Sequence, residues 1–307
     1  MLPTFTVFGL TIPMYGVMTA CGMLAAFILL VYTHRFMRFN EDQILSAALW
    51  AIITGFLGAK ILYWIVEFDQ ILADPSYLLH TLREGFVFYG ALIGGFGGIA
   101  IYSTKHKLPF LAFVDLFSPS LVLAHAFGRI GCFCAGCCYG IECDCAISVV
   151  FPEGAVAPAG VPRLPTQLME SAFLFVLAVV LVLVLRKKKA FGTVLSWYMI
   201  LYGLWRFGIE FFRADERGMV GALSTSQFIS IFAVVAGIVL LVLVTKGILR
   251  SPEIPEPAEE EKPKKDDKAE ITEPAEEEKP AEKEEPLNEE KPEAEELEKT
   301  EESEEKE

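Results

Sequence analysis

The 307 residues carry 40 acidic and 26 basic side chains, a net charge of −14, while 53% of them are hydrophobic. From Ser251 onward lie 26 of those acids and 9 of those bases, a net of −17, so the first 250 residues carry about +3. The acidity belongs to a tail, and the very apolar body, with several runs near the roughly 20 residues that cross a bilayer, excludes an ordinary acidic soluble protein.

The reading is an all-α integral membrane protein. No basic residue precedes His34, so no charged leader region is expected and the first apolar stretch should stay as a membrane helix. Seven spans are predicted, at roughly 13–33, 43–66, 86–103, 110–130, 168–186, 191–212 and 223–246. Pro13, Pro109 and Pro165 sit near span starts, where a missing N–H costs little. With the first loop taken as cytoplasmic, that side receives Arg35, Arg38, Lys105, Lys107, Arg186 to Lys189, Lys246 and Arg250. The other side receives Arg83, Arg163, Arg213 and Arg217. Ten against four puts the N-terminus outside and the C-terminus in the cytoplasm. The cysteine-rich stretch then faces the extracytoplasmic side, where disulfides persist.

In the third span, Gly90, Gly94 and Gly98 recur at four-residue spacing. Small residues so placed let two helices approach closely, or leave a smooth face with room for a lipid beside Tyr89. The fourth span carries Asp115, His125 and Arg129. Ionisable groups there are costly and turn toward the protein interior or a wet cavity. Asp115 is read as a structural partner for a polar group, and His125 as a helix-end ring bonded to backbone or as a base.

Behind Arg129 comes GRIGCFCAGCCYGIECDC, residues 128–145, with six of the chain's seven cysteines. Three readings stand open for Cys132, Cys134, Cys137, Cys138, Cys143 and Cys145. An even count in an oxidising compartment suits structural disulfides, although six cysteines permit 15 pairings. Cys134-x-x-Cys137 has metal-ligand spacing but no histidine within the cluster. A reactive thiol, Cys132 or Cys137, activated by Arg129 is the third.

On the sixth span, Tyr202, Arg206, Glu210 and Arg213 project at about 0°, 40°, 80° and 20° around a helix of 100° per residue. An Arg206–Glu210 salt bridge explains part of this polar stripe. Two arginines on one face also suit an anion. The tail repeats EPAEEEKP at 256–263 and 273–280 and has almost no apolar residues, so it is read as a disordered cytoplasmic segment, 251–307, after a membrane domain over 1–250.

These motifs together resemble those of the prolipoprotein diacylglyceryl transferases. Gly128-Arg129-Ile130-Gly131 and Gly140 are similar to that family's Gly-Arg-x-Gly-Asn-Phe-x-Asn-Gly-Glu signature and the glycine three positions beyond it. MYGVM at 14–18, GAKILYW at 58–64, FYGALIGG at 88–95, RLPTQLMES at 163–171, YGLWRFGIEFFR at 202–213 and LSTSQFIS at 223–230 resemble its other elements in order. Lys60 stands where arginine is usual, and Tyr89 takes the family's functional His/Tyr position.

The resemblance implies a seven-span enzyme of the bacterial inner membrane with its site toward the extracytoplasmic side. It would move the diacylglyceryl group of phosphatidylglycerol to the lipobox cysteine of a prolipoprotein and release glycerol phosphate. Its partners would be that lipid, the signal-peptide region of the prolipoprotein and the membrane, with no nucleic acid and no cofactor. Arg129 and Arg206 are the residues expected to hold the phosphodiester, because a guanidinium presents a planar fork of donors to phosphate. Tyr89 is expected to relay the thiol proton, with Glu210 or His125 behind it, and Tyr15, Gly140, Tyr202 and Arg213 to shape the donor site. No metal ligand is assigned. The signature departs at Cys132 and Ala135, where the family has asparagines, and at Cys137, where it has glutamate. A rival reading is therefore a membrane thiol-redox or metal-handling protein on this scaffold without transfer, and a third is an inactive lipid-binding paralogue.

Overall fold

A segment that excludes water must pair its backbone N–H and C=O groups within itself, so the apolar runs of this chain fold as helices. The computed structural model describes residues 4–249 apart from 8–9, 38, 83–84, 188–189 and 216–217. The acidic tail lies outside the described residues, as do Arg38, Arg83, Lys188, Lys189, Arg217 and Arg250, on which the predicted orientation partly rests.

The hairpin of β1 (Thr4–Val7) and β2 (Leu10–Pro13) leads into α1 (Met14–Thr33). A 3-10 turn and a loop reach α2 (Glu41–Val66), followed by the short α3 (Phe68–Ala73) and α4 (Tyr77–His80). Next come α5 (Phe88–Lys105) and α6 (Phe110–Ala135), then a long loop containing β3 (Val149–Val150) and β4 (Pro162–Arg163). After α7 (Thr166–Lys187) and α8 (Thr193–Ile209), the hairpin of β5 (Met219–Val220) and β6 (Leu223–Ser224) leads into α9 (Thr225–Thr245). Among the described residues, three small two-stranded antiparallel sheets thus decorate the helices.

Each of the seven predicted runs holds one long helix. Five of these, α1 with its 3-10 extension, α2, α6, α7 and α9, are long and apolar enough to cross a membrane. The other two fall short for legible reasons. Five glycines dilute the 18 residues of α5, and α8 has only 17 residues before its geometry changes. The apolar side chains of Leu24, Ile28, Phe56, Val179, Phe232 and Val235 lie exposed on the outer faces, as lipid contact requires.

The central helix is α6, which packs on α1, α5, α7 and α8 and is the most buried of the five, whereas α1 is largely exposed. Asp115, at its buried end, caps α8 from a neighbouring helix. Its carboxylate accepts the Gly192 N–H at 2.8 Å and the Leu195 N–H at 2.9 Å, satisfying donors that begin a helix without partners.

The glycine stripe of α5 lies against α2. A Cβ on Gly90 would come within 2.8 Å of the Leu62 Cβ, one on Gly94 within 2.9 Å of the Thr54 carbonyl carbon, and one on Gly98 within 2.9 Å of the Trp50 carbonyl. Of the two readings of the stripe, close helix approach holds and no smooth face is left for a lipid, because two helices without intervening Cβ atoms pack until their main chains meet. Gly94→Ala is therefore expected to cost about 1–3 kcal/mol by overpacking. Gly97, whose added Cβ would meet nothing within 4 Å, is the control. Thermal unfolding in detergent should show Gly94→Ala lowered and Gly97→Ala unchanged or raised.

Candidate active site

The site begins where α6 stops. Gly136 closes the helix in the left-handed region (φ 73°), and the Cys137 N–H returns to the Cys132 carbonyl at 3.1 Å. Cys138 follows at φ 61°, a conformation rare for a residue with a Cβ. The start of α7 holds this turn in place: Gln167 Nε2 donates to the Cys137 carbonyl at 2.6 Å, and the Thr166 hydroxyl to the Cys138 carbonyl at 2.9 Å.

One layer then ties three helix ends together. The Gly140 N–H donates to the Leu164 carbonyl at 3.0 Å, the Ile141 N–H to Phe212 at 2.9 Å, and the Ala214 N–H to Tyr139 at 3.1 Å. A Cβ on Gly140 would sit 2.9 Å from the Phe212 carbonyl, so only glycine lets the three strands of chain meet there. Arg163, stacked 4.9 Å from the Tyr139 ring and bonded to Glu142, stiffens the same layer.

Beneath it, α6, α7 and α8 meet through charges. Arg129 Nε pairs with Glu170 Oε2 at 3.0 Å, and the other oxygen of Glu170 accepts the Tyr202 hydroxyl at 2.9 Å. Glu170 is 2% exposed, so its charge is held by these partners and not by water. Arg129 Nε meets Glu170 as an ion pair without hydrogen-bond geometry. His125, one turn earlier on α6, meets the Tyr202 ring edge-on at 5.3 Å. It lies inside α6, so the expectation of a ring at a helix end is corrected. Tyr15, on α1, reaches this end of α6 across Gly131, whose added Cβ would sit 3.0 Å from its ring.

The stripe predicted on the sixth span holds for two of its four members. The α-helix ends at Ile209, Glu210 sits in a 3-10 turn, and Arg213 is extended (ψ 145°), so 100° per residue stops applying. Arg206 Nη1 pairs with Glu210 at 3.0 Å, and its Nη2 donates to the Ser226 hydroxyl at 2.8 Å. Ser226 is placed by a reciprocal cap at the start of α9, where Ser224 and Gln227 exchange bonds of 3.1 Å. Arg213 turns instead to Asp215, with bonds of 3.1 and 2.8 Å. Tyr89, in the first turn of α5, is 48% exposed on a helix that packs chiefly on α2.

Glu170 was missed among the expected site residues. Its signal was present: a carboxylate near the start of a very apolar helix, inside the RLPTQLMES element.

The cysteines divide. Cys143 and Cys145 form a disulfide with a Cα separation of 5.4 Å, while Cys132, Cys134, Cys137 and Cys138 are free thiols. Of the structural disulfides weighed for these six cysteines, the described residues show one. The sulfurs of Cys132, Cys137 and Cys138 all lie within 4.8 Å of one another. Hydrogen bonds from the thiols of Cys132 and Cys137 hold Cys138 well below the ordinary thiol range, with Arg213 and Arg129 adding to this. The same bonding, with loss of water, pushes the Cys137 thiol up.

A family model described as prolipoprotein diacylglyceryl transferase matches residues 3–243. Phosphatidylglycerol–prolipoprotein diacylglyceryl transferase 2 of Clostridium perfringens is 47% identical over 234 residues, 76% of this chain and 91% of that relative. The phosphatidylglycerol–prolipoprotein diacylglyceryl transferase of Clostridium tetani is 46% identical, over 76% of this chain and 94% of its own. That of Finegoldia magna is 32% identical over 81% and 98%.

Proposed function

The chain belongs to the prolipoprotein diacylglyceryl transferase family, and from that membership we propose that it transfers the diacylglyceryl group of phosphatidylglycerol to the cysteine thiol of a prolipoprotein lipobox. The thiol gives up its proton, its sulfur bonds to the glyceryl carbon, and the carbon–oxygen bond to phosphate breaks. The electron pair of that bond leaves on the phosphate oxygen as glycerol phosphate.

The observation that carries this reading is Arg129. A buried guanidinium, a planar fork of donors, is paired through Nε with Glu170 at 3.0 Å where α6, α7 and α8 meet. Such a fork matches a phosphodiester and stabilises the charge that grows on the departing phosphate. Arg206, braced by Glu210 and Ser226, is the second phosphate contact. Tyr202 holds Glu170 in place, Tyr15 closes the site from α1, and Gly140 and Arg213 build its roof. Tyr89 relays the thiol proton, and Glu210 acts as a brace for Arg206 and not as the base behind Tyr89.

The acyl chains occupy an apolar groove of about 310 Å³ between α1, α2, α5 and α6, lined by Phe27, Ala48, Ile52, Gly95 and Leu121. We place the protein in the bacterial inner membrane with seven spans, its N-terminus and site outside and its C-terminus in the cytoplasm. Purified protein given phosphatidylglycerol and a lipobox peptide is expected to yield a thioether-linked diacylglyceryl peptide by mass spectrometry. Folded protein that leaves the peptide unmodified in that lipid counts decisively against the assignment.

A further inference from the structure

Cys132, Cys137 and Cys138 form a constellation that the transfer reading leaves unused. Their three sulfurs lie within 4.8 Å of one another. Two zinc–sulfur bonds of about 2.3 Å at a tetrahedral angle separate their sulfurs by roughly 3.8 Å, so side-chain rotation of a few tenths of an ångström to one ångström closes the set on a metal. The backbone is already shaped for it. The helix ends at Gly136, the positive φ of Cys138 turns the chain back, and Gln167 and Thr166 hold the carbonyls of Cys137 and Cys138. Cys134, four residues before Cys138 in the same segment, is not among the converging thiols.

We propose that Cys132, Cys137 and Cys138 form a three-thiolate site for zinc, whose remaining tetrahedral position takes the acceptor cysteine as a thiolate. This rests on the transfer reading above. Three sulfurs with one further position is the pattern of a catalytic zinc site, whereas four protein ligands make a closed structural one. A zinc ion with three thiolates carries a net −1, and the guanidiniums of Arg129 and Arg213, which interact electrostatically with Cys138, offset it.

A coordinated thiol is deprotonated outright, its proton passing by way of Tyr89 to water, so the acceptor sulfur arrives as a nucleophile without a carboxylate base. Its electron pair then forms the sulfur–carbon bond, the carbon–oxygen bond to phosphate breaks toward the glycerol phosphate held by Arg129, and the neutral thioether leaves the metal. The zinc keeps its charge throughout.

The test uses the full chain in detergent with reductant, stripped by a chelator and titrated with Co²⁺ and then Zn²⁺. A sulfur-to-cobalt charge-transfer band should saturate at one equivalent and be bleached by Zn²⁺. It should persist in Cys134→Ser and vanish when Cys132, Cys137 and Cys138 are all changed to serine. Transfer to a lipobox peptide should fall at least about tenfold on stripping and return with Zn²⁺, the scale expected when a metal site is compromised. This arm needs no variant, so a folding defect in the serine protein does not blur it. No saturable band, an equal band in the serine protein, or Cys132 bonded to Cys137 or Cys138 in protein thiol-blocked at membrane isolation overturns the site. A saturating site whose removal leaves transfer unchanged overturns the thiol-activating role. Zinc-loaded protein that transfers nothing overturns that role and the transfer reading together, while the cobalt titration still decides the metal site.

Discussion

Arg129→Ala is expected to lower transfer by about 10²–10³-fold, the loss seen when one preorganised donor to a developing oxyanion is removed. Arg129 is placed for that role by its anchor, since the ion pair to Glu170 orients the guanidinium before any lipid arrives. The substitution also leaves the buried Glu170 carboxylate without its ion pair, which costs about 3–5 kcal/mol of stability in comparable buried pairs. A fall in activity by itself would therefore mix two effects. Arg129→Lys separates them, because it keeps the charge beside Glu170 and loses the planar fork. The lysine protein should unfold thermally near the parent and still transfer at least about tenfold more slowly. Transfer within a few-fold of the parent in both variants would remove Arg129 from the chemistry.

The apolar runs announced the helices, since their length and composition leave a water-excluding segment no other way to pair its backbone. Arg129 was visible as a charge at the end of such a run, and the Arg206–Glu210 pair as residues one turn apart. What stayed hidden depends on contacts between elements. The stripe on the sixth span supposes a helix that continues, but the chain tightens into a 3-10 turn at Glu210 and sends Arg213 to Asp215. The glycines of α5 signalled close approach without saying that α2 would fill their face. Six cysteines in fourteen positions do not reveal which converge. That is decided by the left-handed turn at Gly136 and Cys138 and by two side chains from α7, far along the chain.

Glu170 is where both limits meet, and its removal is expected to be the most damaging change to the fold. Glu170→Ala leaves Arg129 without its ion pair and the Tyr202 hydroxyl without its acceptor, at a point where α6, α7 and α8 join. A buried ion pair broken on one side costs about 3–5 kcal/mol, because the surviving charge has neither water nor partner. Removing both charges avoids that penalty. Arg129→Ala combined with Glu170→Ala should therefore unfold at a higher temperature than the two single losses added together would give, with an interaction energy of about 0.5–3 kcal/mol. Strict additivity in that cycle, read by thermal unfolding in one detergent, would mean that the two side chains do not depend on each other. Glu170→Gln completes the set, since its amide oxygen still accepts from Tyr202 while its charge is gone. It should fold better than Glu170→Ala, yet transfer more slowly than the parent, because an amide orients the Arg129 fork less firmly than a carboxylate does.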